Sequence, residues 1–334
     1  MKSLNNNMLK ALSVAVVAVL ATACDGGTSK SSNTQSAPPG NNAPENNLDP
    51  VVLSHDNFQE VAGQSLKSLL LNEASTNALN KSVVITTNRV NPFQDTVTGI
   101  AITIPSFSCS NSGTMEGSAS FLNTNTDGGL QIDLSRDVTG TLTASFEECV
   151  DQGFGLDGEI EGVLNGNIVR NNFGANLNVT NLKVQQPNLS EFVFDGEFNY
   201  KAFSDDFISV NIEISSSYSL YVADDAYTQF DLTMNKIVNN TTGEYSYWVS
   251  SEFTDSMYPD AYVAYETLQP LVGQGFSLPT GGQLAVQGSN GTVYVYPEHD
   301  GALRLELDLD DDGTIDQTDW STWEDLVLGP MRNQ

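Results

Sequence analysis

The spacing of apolar residues changes its period once along the chain. Over residues 58–70 apolar side chains recur at helical spacing, which predicts an amphipathic helix that ends near residues 77–81. Asp56, with Gln59 three positions later, predicts the N-terminal cap of this helix. We expect the apolar stripe of the helix to pack against a sheet.

After residue 81 apolar and polar positions alternate, which predicts strands with one buried face and one solvent-exposed face. Short connections rich in Gly, Asn and Asp favour antiparallel neighbours. The predicted fold class is therefore mainly β, a large antiparallel meander sheet built as a sandwich or a curved sheet, with one N-terminal helix and a C-terminal hairpin. The predicted strands are 82–86, 99–104, 113–121, 130–134, 139–146, 156–164, 175–184, 192–203, 207–222, 226–237, 244–253, 291–297 and 303–309.

The first 23 residues follow the order of a secretory signal. Two lysines and no acid precede an apolar run over residues 11–23, and small residues then lead into Cys24. As a helix this run would rise only about 20 Å, short of the ~30 Å hydrocarbon core that a membrane-spanning helix must cross. The segment is therefore interpreted as a signal peptide.

Cys24 resembles the lipobox cysteine of bacterial lipoproteins, although Ala21 stands where Leu is usual and Leu20 lies one position earlier. The resemblance implies that Cys24 is lipidated (palmitate) and holds the protein at the membrane of the bacterial cell envelope. Asp25 resembles an enterobacterial signal for inner-membrane retention, a rule that varies between bacteria. The choice between inner and outer membrane, and surface exposure, therefore stays open. The alternative is a secreted protein with an ordinary cysteine at this position.

Composition narrows the possible partners. The chain has 42 acidic and 13 basic residues, a formal charge of −29, which makes nucleic acid a poor partner. Residues 25–50 are mostly Gly, Ser, Thr, Asn, Gln and Pro, a composition typical of a flexible tether. With Cys24 lipidated, Cys109 and Cys149 remain, and export to an oxidising compartment predicts a disulfide between them. Two buried free thiols are the alternative.

Residues 308–319 carry the strongest chemical motif. Carboxylates at alternating positions, followed by a glycine, are suited to a loop that surrounds Ca²⁺ with oxygen ligands. The loop resembles the calcium loop of EF-hand and dockerin proteins, with Asp319 in place of the usual Glu. The resemblance implies calcium ligands at Asp308, Asp310, Asp312, Thr314, Asp316 and Asp319.

A strand-like segment, residues 303–307, precedes this loop where an EF-hand has a helix. We therefore expect a lone structural calcium site at a strand end, followed by a short helix over residues 320–327. The alternative is an acidic surface turn that binds no specific ion. Residues 254–290, with three prolines and a Gly-rich stretch, are predicted to be a loop or a boundary. The predicted units are 1–23 (signal), 24–50 (lipidated tether), 51–270 (helix and β-domain) and 271–334 (hairpin and calcium loop).

No catalytic residues are predicted. His55 and His299 are the only histidines, and no nucleophile elbow, zinc-binding His pair or phosphate loop occurs in the sequence. Aromatic residues are frequent in the later strands. They either fill the core or form a solvent-exposed row that could stack on sugars or a protein partner. They are Tyr218, Tyr221, Tyr227, Tyr245, Tyr247, Trp248, Tyr262 and Tyr265.

The overall layout resembles lipoproteins of Gram-negative bacteria with no assigned activity. The resemblance implies an envelope protein that is non-catalytic, binds a partner or glycan or serves structurally, and is stabilised by calcium. One alternative is a carbohydrate-active or other hydrolytic enzyme, which a cleft with two facing carboxylates would favour. The other is a periplasmic lipid carrier, which a curved sheet around an apolar hollow would favour.

Overall fold

The computed structural model describes residues 48–90, 102–123, 138–151, 154–167, 172–185, 191–204, 208–222, 225–239, 241–275 and 277–328. The predicted signal peptide, Cys24, the tether up to residue 47 and the predicted strand at 130–134 lie outside these residues. The described part consists of a long helix and fifteen strands, so the prediction of a mainly β protein is confirmed.

The helix, α1, spans Phe58–Val90. The strands are β1 Asp49–Pro50, β2 Ile102–Ser108, β3 Ser112–Asn123, β4 Val138–Asp151, β5 Phe154–Asn167, β6 Asn172–Gln185, β7 Phe192–Phe203, β8 Ser209–Val222, β9 Asp225–Asn239, β10 Glu244–Asp255, β11 Ala261–Gln274, β12 Gly281–Gly288, β13 Gly291–Pro297, β14 Ala302–Asp308 and β15 Gln317–Thr322. A π-helical turn, Glu324–Leu328, follows β15.

Sheet order follows chain order. Each strand from β2 to β15 is hydrogen-bonded to the next, and β2 and β15 are the two ends of an open sheet. These pairs are antiparallel, the arrangement that short turns between successive strands favour. The short β1 adds a parallel pairing to the start of β11, where Asp49 faces Ala261. The predicted meander is thus confirmed as one continuous sheet.

Two strands occupy a region for which a loop or boundary was predicted. β11 and β12 lie within residues 254–290, so that interpretation was wrong. Pro270 is tolerated inside β11 because the ladders on both sides shift register there: Leu271 pairs with Tyr247 of β10, and Gln269 pairs with Gln283 of β12, but Pro270 pairs with neither strand. The predicted boundary between residues 270 and 271 falls inside β11.

Local predictions near α1 also need correction. Residues 82–86 were predicted to be a strand, but α1 continues through them to Val90. A short β-branched run is compatible with either structure, and here it follows a helix already formed. Ser54, and not the predicted Asp56, caps the helix: Ser54 Oγ accepts from the backbone N–H of Asn57 (3.3 Å), and Asn57 Oδ1 accepts from the backbone N–H of Ser54 (2.8 Å). The predicted helix over 320–327 is partly strand, because Trp320 belongs to β15.

The sheet curls around α1. Strands β2 and β5 contact the helix, and so do β11 to β14, which lie near the other end of the sheet. Helix residues on every side are buried, which explains why α1 carries more than a single apolar stripe. Buried apolar residues of α1 include Val61, Ala62, Leu66, Leu69, Leu70, Leu71, Ala74, Ala78 and Leu79, and Ser65, Ser68, Asn72, Ser75 and Thr76 are buried with them. In the described structure the helix therefore fills the inside of the curl.

Buried polar residues connect α1 to the strands around it. Asn72 Nδ2 donates to the Tyr265 hydroxyl (2.7 Å), and Asn72 Oδ1 accepts from the Tyr218 hydroxyl. Gln229 Nε2 donates to Ser68 Oγ (2.6 Å). These bonds satisfy groups that would otherwise cost free energy on burial, and they specify the rotation of α1 within the sheet.

Two ion pairs also link α1 to β9. Lys236 of β9 pairs with Glu73 of α1, and the side chain of Lys236 is only 4% exposed. Its Nζ atom lies 4.9 Å from the ring centroid of Tyr245 and 5.7 Å from that of Tyr247. The second pair joins Lys67 Nζ of α1 to Asp225 Oδ2 (2.7 Å).

Candidate functional site

The acidic motif forms the loop between β14 and β15. Its first residue, Asp308, ends β14, and it is 1% exposed. The strand is anchored by Leu303, Leu305 and Leu307, all buried in the core, so the loop starts from a rigid element. Gly313, with φ +84°, adopts a left-handed conformation that glycine favours, which lets the chain turn sharply.

Three carboxylates of this loop converge. One carboxylate oxygen each from Asp308, Asp310 and Asp312 lies within 4.8 Å of the other two. Backbone N–H groups support them: Gly313 donates to Asp308 Oδ2 (3.0 Å), and Thr314 donates to Asp312 Oδ1 (2.7 Å). We call these three aspartates the acidic cluster.

Asp308 distinguishes the acidic cluster from an ordinary surface turn. Its Oδ1 atom is buried and accepts no hydrogen bond within the described structure, whereas Asp310 and Asp312 are exposed. A buried carboxylate oxygen without a partner costs free energy, and two further negative charges close by increase that cost. Oxygen ligands of this kind match the preference of Ca²⁺, so the residues fit the ion that the sequence suggests.

The other predicted ligands have different surroundings. Asp316 Oδ2 accepts from the backbone N–H of Leu309 (2.8 Å), closing the base of the loop. Asp319 lies on β15, where its Oδ2 accepts from Gln59 of α1 and from Gln317 (both 2.8 Å). Thr314 is exposed, with a backbone carbonyl as its predicted contribution. The structure therefore groups Asp308, Asp310 and Asp312, while Asp316 and Asp319 make contacts of their own.

The predicted disulfide is present. Cys109, directly after β2, is bonded to Cys149 of β4. The bond fastens the β2–β3 turn to the next strand along the sheet, close to the end formed by β2. Cys149 is fully buried.

Most of the aromatic residues in the later strands are core residues. Tyr218, Tyr227, Tyr245, Tyr247 and Tyr265 are buried, whereas Tyr221 and Trp248 are exposed. Burial raises the pKa of Tyr265 to about 12, since a phenolate loses its hydration inside the protein. These five tyrosines are therefore core residues and do not form a solvent-exposed row.

The two histidines are peripheral. His55 is exposed, and its Nδ1 lies 2.8 Å from Gln317 Oε1. His299 is exposed in the turn between β13 and β14. Neither lies in the acidic cluster.

An open groove of about 650 Å³ crosses the outer face of β3 to β6. It contains Glu116, Glu159 and Glu161, all exposed. Exposure leaves these carboxylates in water, whereas a carboxyl group acting as a general acid is usually desolvated. None of the three carboxyl groups in the groove is buried.

A row of side chains on the outer face of β12 to β15 was missed by the sequence analysis. The register places Trp320 opposite Arg304, and Arg304 opposite Tyr296. Gln283 of β12 continues the row, because its Nε2 donates to the Tyr296 hydroxyl (2.9 Å). The alternation in residues 291–297 and 303–309 indicated which side chains of these strands face solvent. The row was missed because Trp320 had been predicted to lie in a helix. We call these four residues the C-terminal row.

The fold and the acidic cluster define a class: a mainly β protein in which one meander sheet curls around a helix and carries an acidic loop near one end. Comparison with protein-family models, with curated proteins and with solved structures gives no match to this chain. Among the described residues, no helix has both the length and the apolar character needed to cross a membrane.

Proposed function

We propose that this chain is an exported, lipid-anchored protein of the bacterial cell envelope, which binds a partner or glycan without catalysing a reaction and is stabilised by calcium. The observation that carries the calcium part concerns Asp308: its Oδ1 atom is buried without a hydrogen-bond partner among the described residues, and its carboxylate belongs to the acidic cluster. The basic start, apolar run and Cys24 of the sequence support the anchor.

Calcium would have a structural role in this protein. Asp308, Asp310 and Asp312 would supply carboxylate oxygens, and Thr314 a backbone carbonyl. When bound, the ion supplies positive charge that offsets the repulsion among three neighbouring carboxylates. Because Asp308 ends β14 and the loop leads directly into β15, holding the loop would hold this end of the sheet.

Binding on the outer surface is favoured over carriage of a lipid. A carrier of the kind considered above needs an apolar hollow inside the curved sheet, and α1 fills that space in the described structure. The outer face, in contrast, is exposed to solvent and carries Trp320, an exposed aromatic side chain.

Calcium is expected to raise the melting temperature of the protein by about 3–10 °C at about 10 mM. A site with a dissociation constant of about 10⁻⁴–10⁻³ M, typical of extracellular modules, stabilises the folded state by about 1.4–2.7 kcal/mol at this concentration. Thermal unfolding of the chain from residue 24, with Cys24→Ser, in calcium and in chelator measures the shift. Magnesium at the same concentration is expected to give a smaller shift, because it gives up its water less readily.

Asp308→Asn provides a sharper test. The variant keeps an oxygen that accepts from Gly313 but removes one charge, so it is expected to melt above wild type in chelator and to lose the calcium shift. Asp319→Asn is expected to retain the shift, because Asp319 is held by Gln59 and Gln317. Asp300→Asn, an exposed residue in the preceding turn, is the matched control. A calcium shift that survives in Asp308→Asn would refute the site.

Lipidation is expected to depend on Cys24 alone. Cells that express the full chain and are fed an alkyne-tagged fatty acid should label wild type, and Cys24→Ser should abolish the label. The variant with both Cys109→Ala and Cys149→Ala should stay labelled, since these residues form the disulfide. An inhibitor of the lipoprotein signal peptidase should cause the longer precursor to accumulate. Equal labelling of Cys24→Ser and wild type would contradict the anchor.

A further inference from the structure

The C-terminal row (Gln283, Tyr296, Arg304 and Trp320) has the composition of a recognition surface. We propose that it binds an uncharged polysaccharide, a ligand class that deepens the proposed function and rests on the extracytoplasmic location proposed there. The row crosses four adjacent strands, which at the usual strand spacing is about 14 Å, long enough for more than one sugar ring.

The geometry of the row suits a sugar. The Arg304 guanidinium lies 3.8 Å from the centroid of the Tyr296 ring, and Gln283 holds the Tyr296 hydroxyl, so the ring is fixed from two sides. Trp320 is 64% exposed, the joint highest value among the exposed large apolar residues described. A pyranose has an apolar C–H face and a rim of hydroxyl groups. An exposed indole can stack on the first, while guanidinium and amide groups bond the second.

The charges around the C-terminal row disfavour an anionic ligand. Arg304 Nη1 pairs with Glu306 Oε1, and Arg304 Nε lies 3.7 Å from Glu298 Oε1, so the two carboxylates more than offset the single positive charge of the guanidinium. The whole chain carries a formal charge of −29, which repels anionic polymers. Hydroxyl groups can donate to the two carboxylates and accept from Arg304, so a neutral glycan can bond to all three groups without adding negative charge.

A protein partner matches this surface less well. The centre of a protein–protein interface is enriched in aromatic residues and Arg but depleted of Glu and Asp. In the C-terminal row the two rings flank Arg304, and Glu306 lies beside it on the same face of β14. A surface that alternates rings with charged and amide groups is better suited to a ligand with many hydroxyls.

Native affinity electrophoresis tests the proposal. The chain from residue 24 with Cys24→Ser is run through gels that contain soluble mixed-linkage glucan, xylan, galactomannan or dextran, with alginate as the acidic comparison. At least one uncharged polymer should retard wild type, and Trp320→Ala should weaken the apparent affinity about fivefold or more. Trp320→Phe should restore part of the affinity. Retardation by alginate alone, or by none of the polymers, would overturn the proposal.

Trp248→Ala is the matched control, because Trp248 is 46% exposed and lies on β10, outside the row. It should bind as wild type does, and an equal loss in both variants would overturn the assignment to the row. All runs include calcium. Trp320→Ala should keep the calcium-dependent melting shift, and Asp308→Asn in calcium should still be retarded if β15 stays folded. Failure of the calcium site therefore appears in the melting curves, and failure of the row appears in the gels.

Discussion

Glu73→Ala is expected to lower the free energy of unfolding by about 3–5 kcal/mol, the usual cost of leaving a buried charge without its partner. Lys236 would lose its carboxylate partner while its ammonium group stays buried over the rings of Tyr245 and Tyr247. Cation–π contacts with the two rings recover only part of that cost. Urea unfolding, followed by circular dichroism, measures the change.

Two further variants test whether the unpaired charge of Lys236 causes the loss of stability in Glu73→Ala. Replacing both partners with apolar residues, Glu73→Leu together with Lys236→Met, should recover most of the lost stability because no charge remains buried. The exposed pair Lys201–Glu213 on β7 and β8, 3.0 Å apart, is the matched control. Glu213→Ala should cost less than about 1 kcal/mol, as exposed ion pairs usually do. A cost for Glu73→Ala no larger than that for Glu213→Ala would show that Lys236 is hydrated in the folded protein.

Removing the disulfide is expected to lower the free energy of unfolding by about 4 kcal/mol, the chain-entropy estimate for the loop that it closes. Cys109 and Cys149 are 40 residues apart in sequence. Urea unfolding of the variant with both Cys109→Ala and Cys149→Ala, in the chain with Cys24→Ser, measures the loss. Wild type in reducing agent should show a similar loss.

Hydrogen exchange adds a spatial test of the same prediction. Without the bond, amide protection should fall first in β2 and β3, at the end of the sheet that the disulfide fastens, and least in β8 and β9, which lie in the middle of the sheet. A uniform loss of protection would indicate that the bond acts on the unfolded chain alone.

Most strands could be predicted because one face of each is buried. In residues 192–203 and 244–253 the side chains that point inward are mostly apolar and lie at alternate positions, and β7 and β10 begin at the predicted residues. β11 and β12 were missed because Pro270 and the glycines of residues 273–282 are local signals of a loop. Those signals are overridden where two neighbouring strands shift register around the proline.

The acidic cluster could be predicted because its three residues are close together in the sequence. The spacing of Asp308, Asp310 and Asp312 is local, so the sequence shows that one turn can bring them together. The surroundings of Asp319 depend on β15 pairing with β14 and on α1 supplying Gln59, a residue 260 positions away. The C-terminal row depends likewise on the register of four strands, which no single segment encodes.

By itself, the sequence determined the alternation of the strands, the disulfide cysteines, the acidic loop and the signal-like N-terminus, because each is a pattern within a short segment. Only the tertiary structure decided that the sheet curls around α1, that Lys236 and Glu73 meet inside it, and that Asp308 is buried while Trp320 is exposed. Burial and pairing are properties of distant residues brought together. A residue pattern specifies which face of a strand is apolar, but the free energy of packing against the rest of the chain decides what that face contacts.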